Sequence, residues 1–340
     1  MNFLIKGDTV ALINIGNMPP KRFHSQIRNI EKYLNEMGFA VVNYLDFDNE
    51  YDCKKKISNF HKCFADNNIR GIFPISDGSF DISFLDTLDY DLINSNSKVI
   101  CGYSGISALI FMIAYKTKVH TYYGPHLNFI NSYSSQRENM FSVYSFWNIL
   151  QRQAIGRNRM NAIERNNFFM YSFNNEFVFH NIYSSTKDLK HLYINSFCNN
   201  EIINGVLYAV TLSIFTEILC RYNIEINEDY VLLLDVFDQS FQEIIESISI
   251  ILNKIDIKKC KCIYISTITQ KDNTCINDDL EKENVFLFLN KLHNEVLPND
   301  IDLLYGFPIG HSRYKLTIPT GVKVKIFAKT GEIKITDQGE

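Results

Sequence analysis

The first 120 residues alternate short apolar runs of strand type with amphipathic segments of helix type. The strand-type runs lie at 9–14, 40–44, 71–75 and 98–101. In the helix-type segments, at 23–37 and 53–67, apolar residues recur every three to four positions. Strands that alternate with helices at this spacing predict a parallel sheet with helices on its faces.

The second half of the chain resumes this alternation after a stretch with weak periodicity at 127–200. Strand-type runs lie at 230–236 and 262–266, helical patterns at 239–252 and 279–293, and hairpin-like runs at 315–336. The sequence therefore predicts an α/β fold in three parts. These are an N-terminal parallel-sheet (Rossmann-like) domain at 1–130, a connection with an overhanging loop at 131–200, and a C-terminal α/β domain with hairpin-type strands at 201–340.

Composition narrows the class of protein. Apolar residues make up 46% of the 340 residues and the net charge is −4, which favours packed cores and argues against a nucleic-acid partner. No secretory signal or run of 18 apolar residues is visible, so we expect a cytoplasmic protein that does not enter a membrane. The eight scattered cysteines predict free thiols, and they do not form a metal-ligand set.

Ser104 follows the apolar run 98–101 and is flanked by Gly102 and Gly105. A strand, a sharp turn and an apolar helix are the setting of a nucleophile elbow, although the spacing differs from G-x-S-x-G. Ligands gather where parallel strands end, and the segment 76–80 is predicted at the same edge. The alternative is that Ser104 only caps the following helix.

His311 lies in a turn-rich loop that Gly306, Pro308 and Gly310 make rigid. A polar ring presented from a rigid loop suits a general base. The alternative is a histidine whose ring is satisfied by a nearby backbone group. His126, after Gly124 and Pro125, is the rival base.

Several short motifs occur in a fixed order along the chain. They are G-D-T-V-A at 7–11, L-D-Y at 88–90, G-Y-S-G-I-S at 102–107, Y-G-P at 123–125, G-H at 310–311 and P-T-G at 319–321. In order and spacing they resemble the LD-carboxypeptidase family of serine peptidases, particularly its microcin C self-immunity branch.

The resemblance implies a two-domain, metal-independent enzyme of the cytoplasm that forms a homodimer and needs no cofactor. Its members cleave an amide bond next to a free carboxylate, in peptidoglycan peptides or in aminoacyl-nucleotide antibiotics. On this mapping Ser104 is the nucleophile of a Ser-Glu-His triad and His311 is the general base. The backbone N–H groups of Gly78 and Gly105 form the oxyanion hole.

The position of the third triad member departs from the family pattern. The stretch L-L-L-D-V-F-D at 232–238 places Leu234 where the family has its glutamate. Asp235 matches the aspartate that follows the glutamate in the family, and neighbours in a strand point to opposite faces. This argues against a simple replacement by Asp235, and Asp238, beyond the strand end, is the other candidate acid.

Substrate-side positions also differ from the family. Asp77 and Ser79 stand in the loop that is glycine-rich in the family. Asn204 begins the stretch N-G-V-L at 204–207, which resembles the family's G-G-N-L motif without its substrate-side asparagine. Two hypotheses follow. One is a divergent serine hydrolase or acyl-transfer enzyme that acts on a small peptide or peptide-like compound. The other is an inactive homologue that binds a peptide-like ligand or a partner protein.

Overall fold

The computed structural model describes most of the chain as two compact units. The described residues are 1–16, 24–45, 53–75, 80–133, 137–151, 170–173, 176–179, 196–270, 279–312 and 315–336. The first unit comprises Met1–Gln153 and Tyr314–Gly321, and the second comprises Ala154–Arg313 and Val322–Glu340.

The regular elements of the described residues are as follows. The strands are β1 (Thr9–Ile13), β2 (Ala40–Asn43), β3 (Ile69–Pro74), β4 (Val99–Gly102), β5 (Thr121–Tyr123), β6 (Met170–Phe173), β7 (Glu176–Phe179), β8 (Ser196–Phe197), β9 (Ile202–Thr211), β10 (Tyr230–Asp235), β11 (Cys260–Ser266), β12 (Asp302–Phe307), β13 (Ile318–Thr320), β14 (Val322–Phe327) and β15 (Glu332–Ile335). The α-helices are α1 (His24–Glu36), α2 (Cys53–Ala65), α3 (Tyr90–Ser95), α4 (Ser107–Lys116), α5 (Leu127–Tyr133), α6 (Arg137–Gln151), α7 (Leu212–Arg221), α8 (Phe241–Lys254) and α9 (Asp279–Lys291).

The sheet of the first unit confirms the predicted parallel arrangement. Its strand order is β13-β5-β4-β3-β1-β2. The strands β1 to β5 run parallel, and β13 pairs antiparallel with β5. Helix α4, which follows the elbow, is buried from Ser107 to Ala114 and anchors that strand end in the core. The parallel strands therefore end at one edge of the sheet, where Ser104 follows β4.

The first compact unit runs to Gln153 and includes the last helix before that residue. Helix α6 belongs to it, because the hydroxyls of Ser142 and Ser145 accept the backbone N–H groups of Lys315 and Thr317. These two bonds tie α6 to the segment that leads into β13. The segment is distant in sequence, so composition and periodicity did not reveal the association.

The second unit is built on a sheet with the strand order β6-β7-β15-β14-β9-β10-β11-β12-β8. Its centre, β9 to β12, is parallel, and β14 and β15 form the antiparallel hairpin predicted at the end of the chain. All six residues of β10 are buried, as its continuous apolar run predicts for a central strand. The mixed α/β architecture is thereby confirmed.

The structure gives the state of the cysteines and the character of the helices. Seven cysteines lie in the described residues and all are free thiols, as predicted, whereas Cys275 lies outside them. Across the same residues no helix combines the length and the apolar character needed to cross a membrane.

Candidate active site

The turn after β4 holds Ser104 in a backbone conformation that side chains seldom adopt. Its φ is 55°, in the left-handed region, and the residue is half-buried at the start of a 3-10 turn, Ser104–Ile106. A Cβ on Gly102 would lie 2.5 Å from Cγ2 of Ile106, so only glycine lets the turn fold back on the strand end. A strained residue on a sharp strand-to-helix turn is the geometry of a nucleophile elbow.

The helix-cap interpretation of Ser104 does not fit this geometry. The 3-10 turn begins after Tyr103 and α4 begins after Ile106, and neither of these cap residues makes a side-chain capping bond. Ser104 lies inside the turn, and an N-cap residue would lie before it with an extended backbone.

Cys101 is a second potential nucleophile at this strand end, three residues before Ser104. It is 1% exposed, and burial raises the pKa of its thiol well above the ordinary value. Only the thiolate is strongly nucleophilic, so Cys101 is an inert core residue. The nucleophile candidate of this turn is the Ser104 hydroxyl.

His126, the rival base, has one ring nitrogen engaged by the backbone. Its Nδ1 accepts the N–H of Phe129 at 3.2 Å in the first turn of α5, and its ring stacks on Tyr103 with centroids 5.5 Å apart. In a neutral imidazole, an accepting Nδ1 places the proton on Nε2. His126 therefore caps α5 and offers a donor where a general base needs an acceptor.

His311, in the second unit, is held by a carboxylate. Its Nδ1 lies 2.7 Å from Oδ2 of Asp235, and its backbone N–H donates to Oδ1 of Asp235 at 3.1 Å. The side chain of Asp235 is fully buried and that of His311 is 11% exposed. A carboxylate only accepts, so Nδ1 carries the proton and Nε2 of the neutral ring is left as the basic nitrogen.

The chain builds this pair from two strand ends. Asp235 is the last residue of β10, and His311 lies in the turn that follows β12, two strands away in the sheet. Gly310 has a φ of 57°, and a Cβ there would lie 2.1 Å from Oδ2 of Asp235. The glycine is needed because the backbone of the turn passes directly over the carboxylate.

Asp235, rather than Asp238, is the carboxylate against the histidine ring. Leu234 is fully buried, and its alignment with the family glutamate does not deprive His311 of an acid. Strand alternation separates the faces of residues 234 and 235 but does not tell which face the histidine occupies. Asp238 is exposed, with its N–H donated to the carbonyl of Thr269.

The remaining sequence candidates have different outcomes. Asp77, Gly78 and Ser79 lie outside the described residues. Gly105 is buried in the turn directly after Ser104. Asn204 is exposed and pairs with Lys325 of β14. It lies seven residues before Thr211, the last residue of β9, and this spacing corresponds to about 23 Å along a strand. It therefore lies at the opposite end of β9 from Asp235.

Two neighbours of the Asp235–His311 pair were missed at the level of sequence. The ring of Phe237 stacks on that of His311 with centroids 4.0 Å apart and an angle of 17° between the planes. The hydroxyl of Thr211, in register with Asp235 on the next strand, donates to Oδ2 of Asp235 at 3.5 Å. The spacing from Asp235 to Phe237 was a usable signal, because residues two apart on an extended chain share a face.

Family comparisons match both halves of the chain. The LD-carboxypeptidase N-terminal domain matches residues 10–124, and the LD-carboxypeptidase C-terminal domain matches residues 204–326. The elbow at Ser104 falls in the first match, and Asp235 and His311 fall in the second. The two matches together cover more than half of the chain.

Individual relatives match over different lengths. The chain is 26% identical to the microcin C7 self-immunity protein MccF of Escherichia coli over 349 aligned positions, 98% of this chain and 95% of that protein. It is 29% identical to a putative carboxypeptidase of Treponema pallidum (strain Nichols) over 103 residues, which is 30% of each protein. The solved structure of MccF in complex with aspartyl sulfamoyl adenosine shares its fold, with a TM-score of 0.74 at 22% identity over 99% of this chain and 98% of that one.

Proposed function

The chain belongs to the LD-carboxypeptidase family, and we propose that it is a serine hydrolase that cleaves an amide bond of a small peptide or peptide-like compound. In this proposal Ser104 is the nucleophile, His311 the general base and Asp235 the acid that orients the base. The observation that carries it is the hydrogen bond of 2.7 Å between Nδ1 of His311 and Oδ2 of Asp235.

The first half-reaction forms an acyl-enzyme. Oγ of Ser104 attacks the carbonyl carbon of the substrate while Nε2 of His311 takes the hydroxyl proton. The tetrahedral intermediate then collapses, and His311 returns the proton to the leaving amine as the C–N bond breaks. In the second half-reaction water replaces the serine, with His311 again as the base. Attack by an amine in place of water would make the enzyme an acyl transferase.

The oxyanion of the intermediate needs donors that are in place before the reaction begins. Gly105 follows the nucleophile at the start of a helical turn, where backbone N–H groups lack intrahelical partners. We assign its N–H to the oxyanion hole, with Gly78 as the second donor that the family resemblance implies. Loss of one such donor typically costs about 10² to 10³ in turnover.

Asp235 makes the Ser-His pair a triad. It holds His311 in the tautomer whose Nε2 accepts a proton, and its negative charge stabilises the imidazolium that forms. Mutation of the acid in such a triad typically lowers turnover by about 10⁴. In this proposal His311 therefore acts with an acid although Leu234 occupies the position of the family glutamate.

The substrate class follows from the relatives and is part of the proposal. MccF is named for self-immunity to microcin C7, and one of its solved structures contains aspartyl sulfamoyl adenosine. We therefore propose an aminoacyl-nucleotide-like compound or a short peptide as the substrate. We also expect a cytoplasmic homodimer from the family resemblance, which cell fractionation and light scattering test.

The inactive-homologue hypothesis is now weaker. It rested on the absence of a glutamate and on the altered loop at residues 77–79. The first ground does not hold, because His311 has a buried carboxylate partner. The second lies outside the described residues.

The direct test is reaction with a fluorophosphonate probe, in which the Ser104 oxygen displaces fluoride and forms a covalent phosphonate ester. We expect the adduct on Ser104 of the wild-type protein by peptide mass spectrometry, and no adduct in Ser104→Ala. Folded wild-type protein that forms no adduct on Ser104 would refute the proposal and favour the inactive homologue.

A further inference from the structure

Phe237 covers one face of the His311 ring, and we propose that it is a positioning residue of the reaction. In this inference the phenyl ring fixes the plane of the imidazole and stabilises the imidazolium that forms as Ser104 loses its proton. The inference rests on the proposed function, since it requires His311 to act as the base. Phe237 then holds the face of the His311 ring, while the Asp235 carboxylate holds its edge.

The backbone fixes the direction in which Phe237 points. Phe237 forms a parallel bridge with Thr269, and the two segments exchange backbone hydrogen bonds on either side of it. The N–H of Val236 donates to the hydroxyl of Ser266 at 3.0 Å. Along this extended segment, Asp235 and Phe237 share a face. Asp235 therefore meets the edge of the histidine ring, and Phe237 meets its flat face.

The geometry of the stack suits a charged imidazole. The centroids of the two rings are 4.0 Å apart and their planes differ by 17°. Neutral aromatic pairs usually lie about 4.5 to 7 Å apart, offset or edge to face, because the negative faces of two rings repel each other. A cation above the negative face is attracted instead, and partial burial strengthens that attraction.

This arrangement acts on the rate more than on binding. His311 carries the additional proton while the tetrahedral intermediate forms and collapses, and it is neutral when the substrate binds. Interactions that strengthen only in the transition state raise the chemical rate and leave the affinity for the ground state unchanged. We therefore expect loss of the Phe237 ring to slow the reaction at saturation.

The chain offers a matched control four residues later. Phe241 is also half-buried and also stacks on a ring, that of Phe288, with centroids 4.7 Å apart and an angle of 10°. Its partner cannot be protonated. A leucine at residue 241 therefore removes a comparable ring stack without touching His311.

The experiment measures fluorophosphonate labelling of Ser104 as a function of probe concentration in wild type, Phe237→Leu, Phe237→Tyr and Phe241→Leu. We expect Phe237→Leu to lower the limiting labelling rate about tenfold, with the half-saturating concentration changed less than about twofold. We expect Phe237→Tyr, which keeps the ring face, to label within about twofold of wild type. Phe241→Leu should label like wild type.

Two results would overturn the inference while leaving the proposed function intact. One is an unchanged limiting rate in folded Phe237→Leu. The other is a higher half-saturating concentration at an unchanged rate, which would identify Phe237 as a substrate contact. If Phe237→Leu does not fold, a Phe237→Tyr variant that folds and labels tenfold more slowly overturns the inference, because the ring face is kept. Absence of labelling in the wild type would refute the proposed function itself.

Discussion

The elbow at Ser104 and the turn at His311 both follow a buried strand, yet a glycine serves a different purpose in each. Gly102 makes room for Ile106, which is four residues further along the same turn. Gly310 makes room for the carboxylate of Asp235, which is 75 positions away in sequence and arrives from another strand. A requirement of the first kind can be inferred from neighbouring residues, whereas one of the second kind depends on the tertiary fold.

The backbone strengthens the contrast between the two turns. Ser104 and Gly310 have nearly the same φ, 55° and 57°. A non-glycine residue in the left-handed region costs about 1 to 2 kcal/mol. At position 310 the carboxylate excludes any side chain, so glycine is the natural choice. At position 104 a serine keeps its side chain at that cost, as expected if the hydroxyl is needed for the reaction.

The largest effect is expected at Asp235, the carboxylate against which the second turn packs. In Asp235→Asn the amide no longer enforces the basic tautomer of His311, so we expect the rate of fluorophosphonate labelling at Ser104 to fall by about 10⁴. The matched control is Asp238→Asn, which changes an exposed carboxylate three residues later. If Asp238→Asn labels as slowly as Asp235→Asn, the assignment of Asp235 as the acid is wrong.

The second prediction separates the close approach of the carboxylate from backbone strain. Gly310→Ala places a methyl group against Asp235, whereas Gly7→Ala, at a φ of 96°, meets no atom within 4 Å. Both variants should lose about 1 to 3 kcal/mol of stability from the strained backbone. Only Gly310→Ala should slow labelling, by about 10², because a shift of about 1 Å misplaces the histidine. Equal labelling by both variants would mean that the clash has no catalytic consequence.

The third and smallest effect concerns the first turn. Gly102→Ala introduces a methyl group 2.5 Å from Cγ2 of Ile106, and we expect a loss of about 1 to 3 kcal/mol in the free energy of unfolding. Ile106→Ala should also destabilise the protein, since this side chain is 1% exposed. Because the two changes share one contact, denaturant unfolding should show the double variant losing less than the sum of the single losses. Strict additivity would contradict the role assigned to Gly102.

These contrasts explain what the sequence could and could not reveal. Apolar periodicity predicted both sheets and the strand end that carries Ser104, because that signal is local. The local glycines and proline predicted the turn that carries His311, and the family resemblance gave the histidine the role of general base. The same resemblance aligned Leu234, rather than Asp235, with the acid of the family. The carboxylate partner depends on which face of β10 meets the turn after β12, and that is a property of the packed sheet. The spacing of two residues places Phe237 on the same face as Asp235, but its contact with His311 depends on that same packing.

Proton NMR of protein labelled with ¹⁵N-histidine can observe the hydrogen bond in which Asp235 holds the proton-bearing Nδ1 of His311. A proton held in a hydrogen bond between imidazole and carboxylate should resonate far downfield of the amide protons. We predict such a resonance in the wild type and in Asp238→Asn, and its loss in both His311→Ala and Asp235→Asn. A His311 Nδ1–H resonance that is unchanged in folded Asp235→Asn would show that Asp235 does not hold this proton.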